Sequence, residues 1–136
     1  MHVFTYGSLM FPAVWTQVVR GDYRASDATI HGFRRLCILD RQHPALVVSA
    51  CAAPIMGRLY FDVNAKDLAR LDHFETENYA RVAVAATVAD RALSAQAYLA
   101  LNLDSLLHED WNATDFEQRG LPVFLSTYAV QNAPPA

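Results

Sequence analysis

Three carboxylates, Asp72, Glu75 and Glu77, crowd the end of the stretch NAKDLARLDHFE and the residues just after it. A helix C-terminus carries partial negative charge, so acids gathered there are mildly disfavoured and each should raise the pKa of the others. If Glu75 is also partly buried beside Phe74, desolvation pushes the same way and makes a carboxylate basic enough to move protons near neutral pH. The same acids also fit a solvated acidic face, and position alone does not choose between the two. Tyr79 and Arg81 follow. Tyr79 is placed to orient a substrate or simply to pack, and Arg81 to hold a carboxylate or to pair with Glu75 or Glu77.

A second cluster lies near the start, where VFTYGSLM, residues 3 to 10, runs from strand-favouring residues into Gly7 and Ser8. One reading is a structural turn. The other is a substrate cradle, in which Gly7 lets the backbone approach a ligand and N–H groups around Ser8 point at its negative oxygen. Ser8 has no Gly-x-Ser-x-Gly elbow, and nothing in the sequence places a histidine near it or near Cys37 or Cys51, so a covalent hydrolase is poorly supported. Neither glycine-rich phosphate loop occurs. Lys66 is the one lysine, which leaves Schiff-base chemistry a single side chain on a helix surface. The histidines are scattered, and HEDWN at 108 to 112 lacks the second histidine of a zinc helix, so neither a metal nor a cofactor is expected. The two cysteines read as reduced, buried thiols.

Residues 64 to 75 must form the element that carries the acids. Asn64 suits a helix N-cap, and Leu68, Leu71 and Phe74 recur three apart along one side. The cradle needs a strand at 3 to 5. Residues 11 to 19, with Pro12 in a first helical turn, predict a short helix. Residues 25 to 39 and 43 to 63 read as sheet, punctuated by Pro44, Pro54 and Gly57. Residues 79 to 90 alternate valine with alanine as if both faces were covered, and 95 to 101 predict the partner strand. TDFE at 114 to 117 has the form of a capping box. Gly120 and Pro122 are expected to interrupt that helix, with a restart over 121 to 128 and a frayed tail at 131 to 136. The whole is an α+β chain with one domain at 1 to 130, its sheet able to close on itself.

At 136 residues, with 14 acidic against 11 basic side chains and a net charge of −3, the chain carries no electrostatic footprint for nucleic acid or an acidic membrane. No charged n-region precedes an apolar h-region, and no stretch nears the ~18 apolar residues of a membrane span. A soluble cytoplasmic protein with a small polar partner is expected. Oligomeric state is not legible.

Taken in order, VFTYGSLM, HGFRRL, HPAL, MGRLYFDV, DLARLDHFETENYAR and EDWNATDFEQRGLPVFL resemble the γ-glutamylcyclotransferase-like (AIG2-like) proteins over nearly the whole chain. The resemblance implies a small mixed β-barrel flanked by a few helices, with a cavity lined by a Tyr-Gly-Ser-Leu loop and one essential glutamate. Those positions are Tyr6, Gly7, Ser8 and Leu9 for the loop, Glu75 for the glutamate and Tyr79 for the aromatic after it. The implied reaction turns a γ-glutamyl amide into 5-oxoproline and a free amine, needing no protein nucleophile because the substrate's own α-amino group attacks. The alternatives are removal of a γ-glutamyl group from a specialised metabolite, and a non-catalytic small-ligand-binding module on the same barrel. One departure is Thr76, where the family usually has glycine.

Overall fold

Val3, Phe4 and Thr5 form β1 (Val3–Thr5), buried along its whole length. In the computed structural model, which describes residues 1–131, this strand closes a five-stranded mixed barrel. The other four are β2 (Ala25–Ile30), β5 (Ile55–Tyr60), β6 (Tyr79–Val88) and β7 (Arg91–Ala100). The order around the barrel is β1, β5, β2, β6, β7. Neighbours are antiparallel except at the seam, where β1 runs parallel to β7 with Val3 opposite Gln96, and the Gln96 N–H donates to the His2 carbonyl at 2.8 Å.

Alternation along the strands sorts two cores. Phe4, Ile30, Leu59, Val84, Ala86, Ala95 and Ala97 fill the barrel, the alanines keeping it narrow. Val3, Tyr60 and Tyr98 face outward against α1 (Pro12–Val18) and α2 (Ala65–Glu75). A Cβ at Gly57 would collide with the Thr5 carbonyl and the Phe4 ring, so β5 lies against β1 only with hydrogen at that position. The β6–β7 hairpin turns on Ala89 and Asp90, both at positive φ, as a two-residue turn matched to strand twist requires. Ala83 and Ala85 on β6 are exposed, so only the Val84 face is covered, contrary to the two covered faces expected.

A second sheet of three strands, β4 (Pro44–Val48), β3 (Phe33–Ile38) and β8 (Leu106–Asp110), stands beside the barrel. No strand was expected at β8, whose LLHED reads polar because it is an edge strand with its last three residues exposed. The C-terminal helix also differs from expectation. Asn112, not the capping box, caps it by accepting from the Asp115 N–H at 2.9 Å. The backbone then runs without a break from α3 (Ala113–Asp115) through a π-type turn (Phe116–Gly120) into α4 (Leu121–Gln131). Pro122 follows that turn, where the usual ladder is already interrupted and a missing N–H costs least. The expected tail at 131 to 136, beyond Gln131 itself, lies outside the described residues.

Both cysteines are free, but only Cys37 is half-buried; Cys51 is exposed, which corrects the expectation of two buried thiols. Among the described residues no helix is long and apolar enough to cross a membrane. Nor do three or more His, Cys, Asp or Glu side chains gather there as a metal would need.

Candidate active site

Asn64 caps α2 by accepting the Asp67 N–H at 2.8 Å, and Leu68 and Leu71 bury one face of the helix. Asp67 in the first turn is fully buried, accepting from the N–H groups of Arg20 and Gly21, both at 2.9 Å, and from Tyr23 and Arg70. Burial alone would raise this carboxyl; the hydrogen bonds from Tyr23, Gly21, Arg20 and Arg70 outweigh it and hold the pKa well below the usual range. The start of α2 is thereby fixed to the segment after α1, and its last residue, Glu75, is delivered to the end of the barrel.

Glu75 opens onto a cavity of about 570 Å³, within the size range of small-molecule sites. Tyr6, Gly7, Ser8 and Leu9 line the same cavity. Among the described residues the Glu75 carboxylate accepts no hydrogen bond and meets no cation, and burial alone pushes its pKa up to about 8. The expected mutual repulsion of the acids is not the cause. Glu77 is exposed, and Asp72 is turned aside, accepting from the Tyr98 hydroxyl at 2.6 Å and pairing with Arg81 at 3.1 Å.

Three phenols surround the acid. Burial raises Tyr6 well above its ordinary value, with the Glu75 charge adding to it. Tyr79 is raised by burial and then by Glu75. Tyr98 is raised by burial first, then by its bond to Asp72. All three remain protonated donors near neutral pH. The Tyr6 hydroxyl donates to the Tyr98 carbonyl and that of Tyr79 to the Pro44 carbonyl at 3.1 Å, so the box is tied to β7 and to the start of β4.

The loop itself is a short 3-10 turn over Ser8–Met10, closed by Met10 N–H to the Gly7 carbonyl at 3.0 Å. Its leading N–H groups have no acceptor within the turn, and among the described residues none is found for Gly7, Ser8 or Leu9. A Cβ on Gly7 would lie 2.8 Å from Cδ of Pro44, so glycine is required here by the approach of β4 as well as by any ligand.

Arg81 is placed otherwise than a substrate clamp. It does not line the cavity, and its partner is Asp72, neither Glu75 nor Glu77. Sequence reasoning missed His43 and Tyr98, which do line it. Burial, then the nearby Arg41 charge, lowers the His43 imidazole, leaving it neutral near pH 7. HPAL had flagged the neighbourhood of His43 without assigning it a role; Tyr98 is one aromatic in an alternating strand and carries no local signal.

Thr76 caps α2 at φ 66° and ψ −174°, a conformation open almost only to glycine. Its side chain lies at the cavity mouth and accepts from the Asn78 side-chain amide at 3.1 Å. Strain of this kind costs roughly 1–3 kcal/mol, while an exposed hydrogen bond returns about 1 kcal/mol or less. Thr76→Gly is therefore expected to raise the melting temperature by a few degrees in a thermal scan. A lower melting temperature would show that the Thr76–Asn78 bond outweighs the strain.

The family model described as "Gamma-glutamyl cyclotransferase, AIG2-like" matches residues 3–113. AIG2-like protein D of Arabidopsis thaliana is 30% identical over 130 residues, spanning 92% of this chain and 85% of that protein. The solution structure of At5g39720.1 from the same plant superposes with a TM-score of 0.71 at 25% identity, covering 99% of this chain and 94% of that one. A structure titled "Gamma-glutamyl cyclotransferase" shares the fold with a TM-score of 0.64 at 15% identity, over 99% of this chain and 88% of that one.

Proposed function

The chain belongs to the gamma-glutamyl cyclotransferase, AIG2-like family, and from that premise we propose that it converts a γ-glutamyl amide, a γ-glutamyl amino acid or γ-glutamylamine, into 5-oxoproline and the free amine. The observation that carries this reading is a half-buried carboxyl raised to about 8 and, among the described residues, without a partner, opening onto the same cavity as the N–H groups of residues 7 to 9, which have no acceptor there either.

The substrate's α-amino group arrives mainly as an ammonium and must lose a proton before it can attack. The α-amino group, beside the substrate's own α-carboxylate, is more basic than the ~8 of a peptide α-amine; raising Glu75 to about 8 narrows the gap, so the transfer is far less uphill than to an ordinary carboxylate. The freed nitrogen closes a five-membered ring on the γ-carbonyl carbon. That carbonyl oxygen gains negative charge, and the N–H groups of Gly7, Ser8 and Leu9 are the donors proposed to receive it. The C–N bond to the leaving amine then breaks as Glu75 returns the proton to that nitrogen, and the ring nitrogen, still carrying two protons after its attack, gives the second to the re-ionised Glu75 to leave the neutral lactam. Tyr79 orients the chain of the substrate, and the walls hold the folded conformer in which amine and carbonyl meet, which is where most of the acceleration arises. Arg81 acts at one remove, fixing Asp72 and through it Tyr98.

Purified protein incubated with a panel of γ-glutamyl amino acids and γ-glutamylamines, with 5-oxoproline measured, tests the reading. Turnover of at least one is expected. Binding of several with product from none would favour a ligand-binding module and overturn it.

A further inference from the structure

The motif HGFRRL has found no role so far, yet its second arginine reaches the loop. Arg35, on β3, donates from Nη1 to the Tyr6 carbonyl at 2.8 Å and to the Met56 carbonyl at 3.3 Å. Its guanidinium lies 5.1 Å from the centre of the Trp111 ring, and the Trp111 N–H donates to the Arg35 carbonyl at 3.0 Å, holding side chain and strand together. The adjacent carboxylate, Asp110, is taken by Arg34 at 2.9 Å. Arg35 is half-buried and, among the described residues, has no ion-pair partner; its charge falls on main-chain oxygens.

The Tyr6 carbonyl and the Gly7 N–H belong to one peptide group. That group is trans, so the two point in opposite directions. Arg35 does not line the cavity, whereas Tyr6 and Gly7 do. The cation therefore grips the peptide from behind, and the unpaired Gly7 N–H is aimed to the cavity side. A cation on a carbonyl oxygen draws electron density from the amide and makes its N–H a stronger donor.

We infer that Arg35 is a positioning residue for the proposed cyclisation, fixing and polarising the Tyr6–Gly7 peptide so that the Gly7 N–H binds the developing oxyanion. The inference rests on the reading above. Because charge on that oxygen grows only toward the transition state, the effect belongs in kcat and not in KM.

The test compares Arg35→Lys, Arg35→Gln and Arg35→Met with the parent, well below their melting temperatures, by the Gly7 amide resonance in a ¹H–¹⁵N spectrum and by kcat and KM. The Gly7 proton resonance is expected to move upfield in the order Lys, Gln, Met. In the Met variant kcat should fall about 10-fold with KM within about twofold, and Lys should recover part of the loss. Should Met fail to fold, Lys and Gln still differ in charge while both keep a donor. A Gly7 resonance indifferent to that charge, or a loss of kcat that merely follows a loss of melting temperature, would overturn the inference and leave Arg35 a staple between the two sheets. A parent without turnover would instead defeat the proposed function, and the Gly7 shift would still decide whether Arg35 polarises the peptide.

Discussion

Glu75→Gln is expected to lower 5-oxoproline formation by about 10²-fold or more, the scale on which a general base contributes, while leaving the fold in place. Glutamine keeps the shape of the side chain and loses the proton transfer. The same variant should be more stable than the parent, by a margin that is absent in acid, grows as pH rises above about 4.3 and is complete above about 8. The folded carboxyl is raised to about 8 by burial, whereas the unfolded one ionises near 4.3. Between those values the native state holds a proton that the unfolded state has released, so parental stability falls as pH rises through that window and levels off above it. Thermal scans should find parent and Glu75→Gln nearly equal at about pH 4, and the glutamine variant several degrees ahead at pH 9. A constant difference across pH would mean that Glu75 is solvated. Turnover in the parent should rise with pH through the same region, because only the ionised carboxylate takes a proton from the substrate.

Asp67→Ala is expected to cost roughly 3–5 kcal/mol of stability, as the loss of one partner from a buried charged network does. That is a large share of the roughly 5–15 kcal/mol that a domain of this kind possesses. Arg20 N–H, Gly21 N–H, Tyr23 hydroxyl and Arg70 would lose their common acceptor, and none of the first three can turn to water without moving the segment after α1. Asp67→Asn keeps the volume and one acceptor and should lose less. The urea midpoint at 25 °C measures both. Because hydrogen bonding depresses the folded pKa, this contribution is present above the unfolded value of about 3.9 and is lost progressively as pH falls below it. Acid unfolding of the parent should thus be steepest below about pH 4 and shallower in Asp67→Asn.

The sequence carried more of the site than of the frame around it. Leu68, Leu71 and Glu75 stand at i, i+3 and i+7, a spacing that puts Glu75 on the buried face of α2. Reading Leu68, Leu71 and Phe74 by threes missed that and left the acid's burial open. The repulsion inferred among Asp72, Glu75 and Glu77 failed for a tertiary reason: Arg81 on the next strand and Tyr98 on the one after it draw Asp72 away. β8 was illegible because an edge strand pairs through its backbone and imposes little on its side chains. The helix through Gly120 and Pro122 was misjudged because a π-type turn absorbs what would break a regular ladder. Thr76 stood out as a residue type, but its positive φ is visible only in three dimensions.

The elevated basicity of one carboxyl is what the enzymatic reading depends on. Titrating the Glu75 side-chain carboxyl by ¹³C NMR, with Glu75→Gln used to assign the resonance, tests it most directly. A midpoint near 8 is predicted. A midpoint near the ordinary 4.5 would place the group in solvent and contradict its role as the proton carrier.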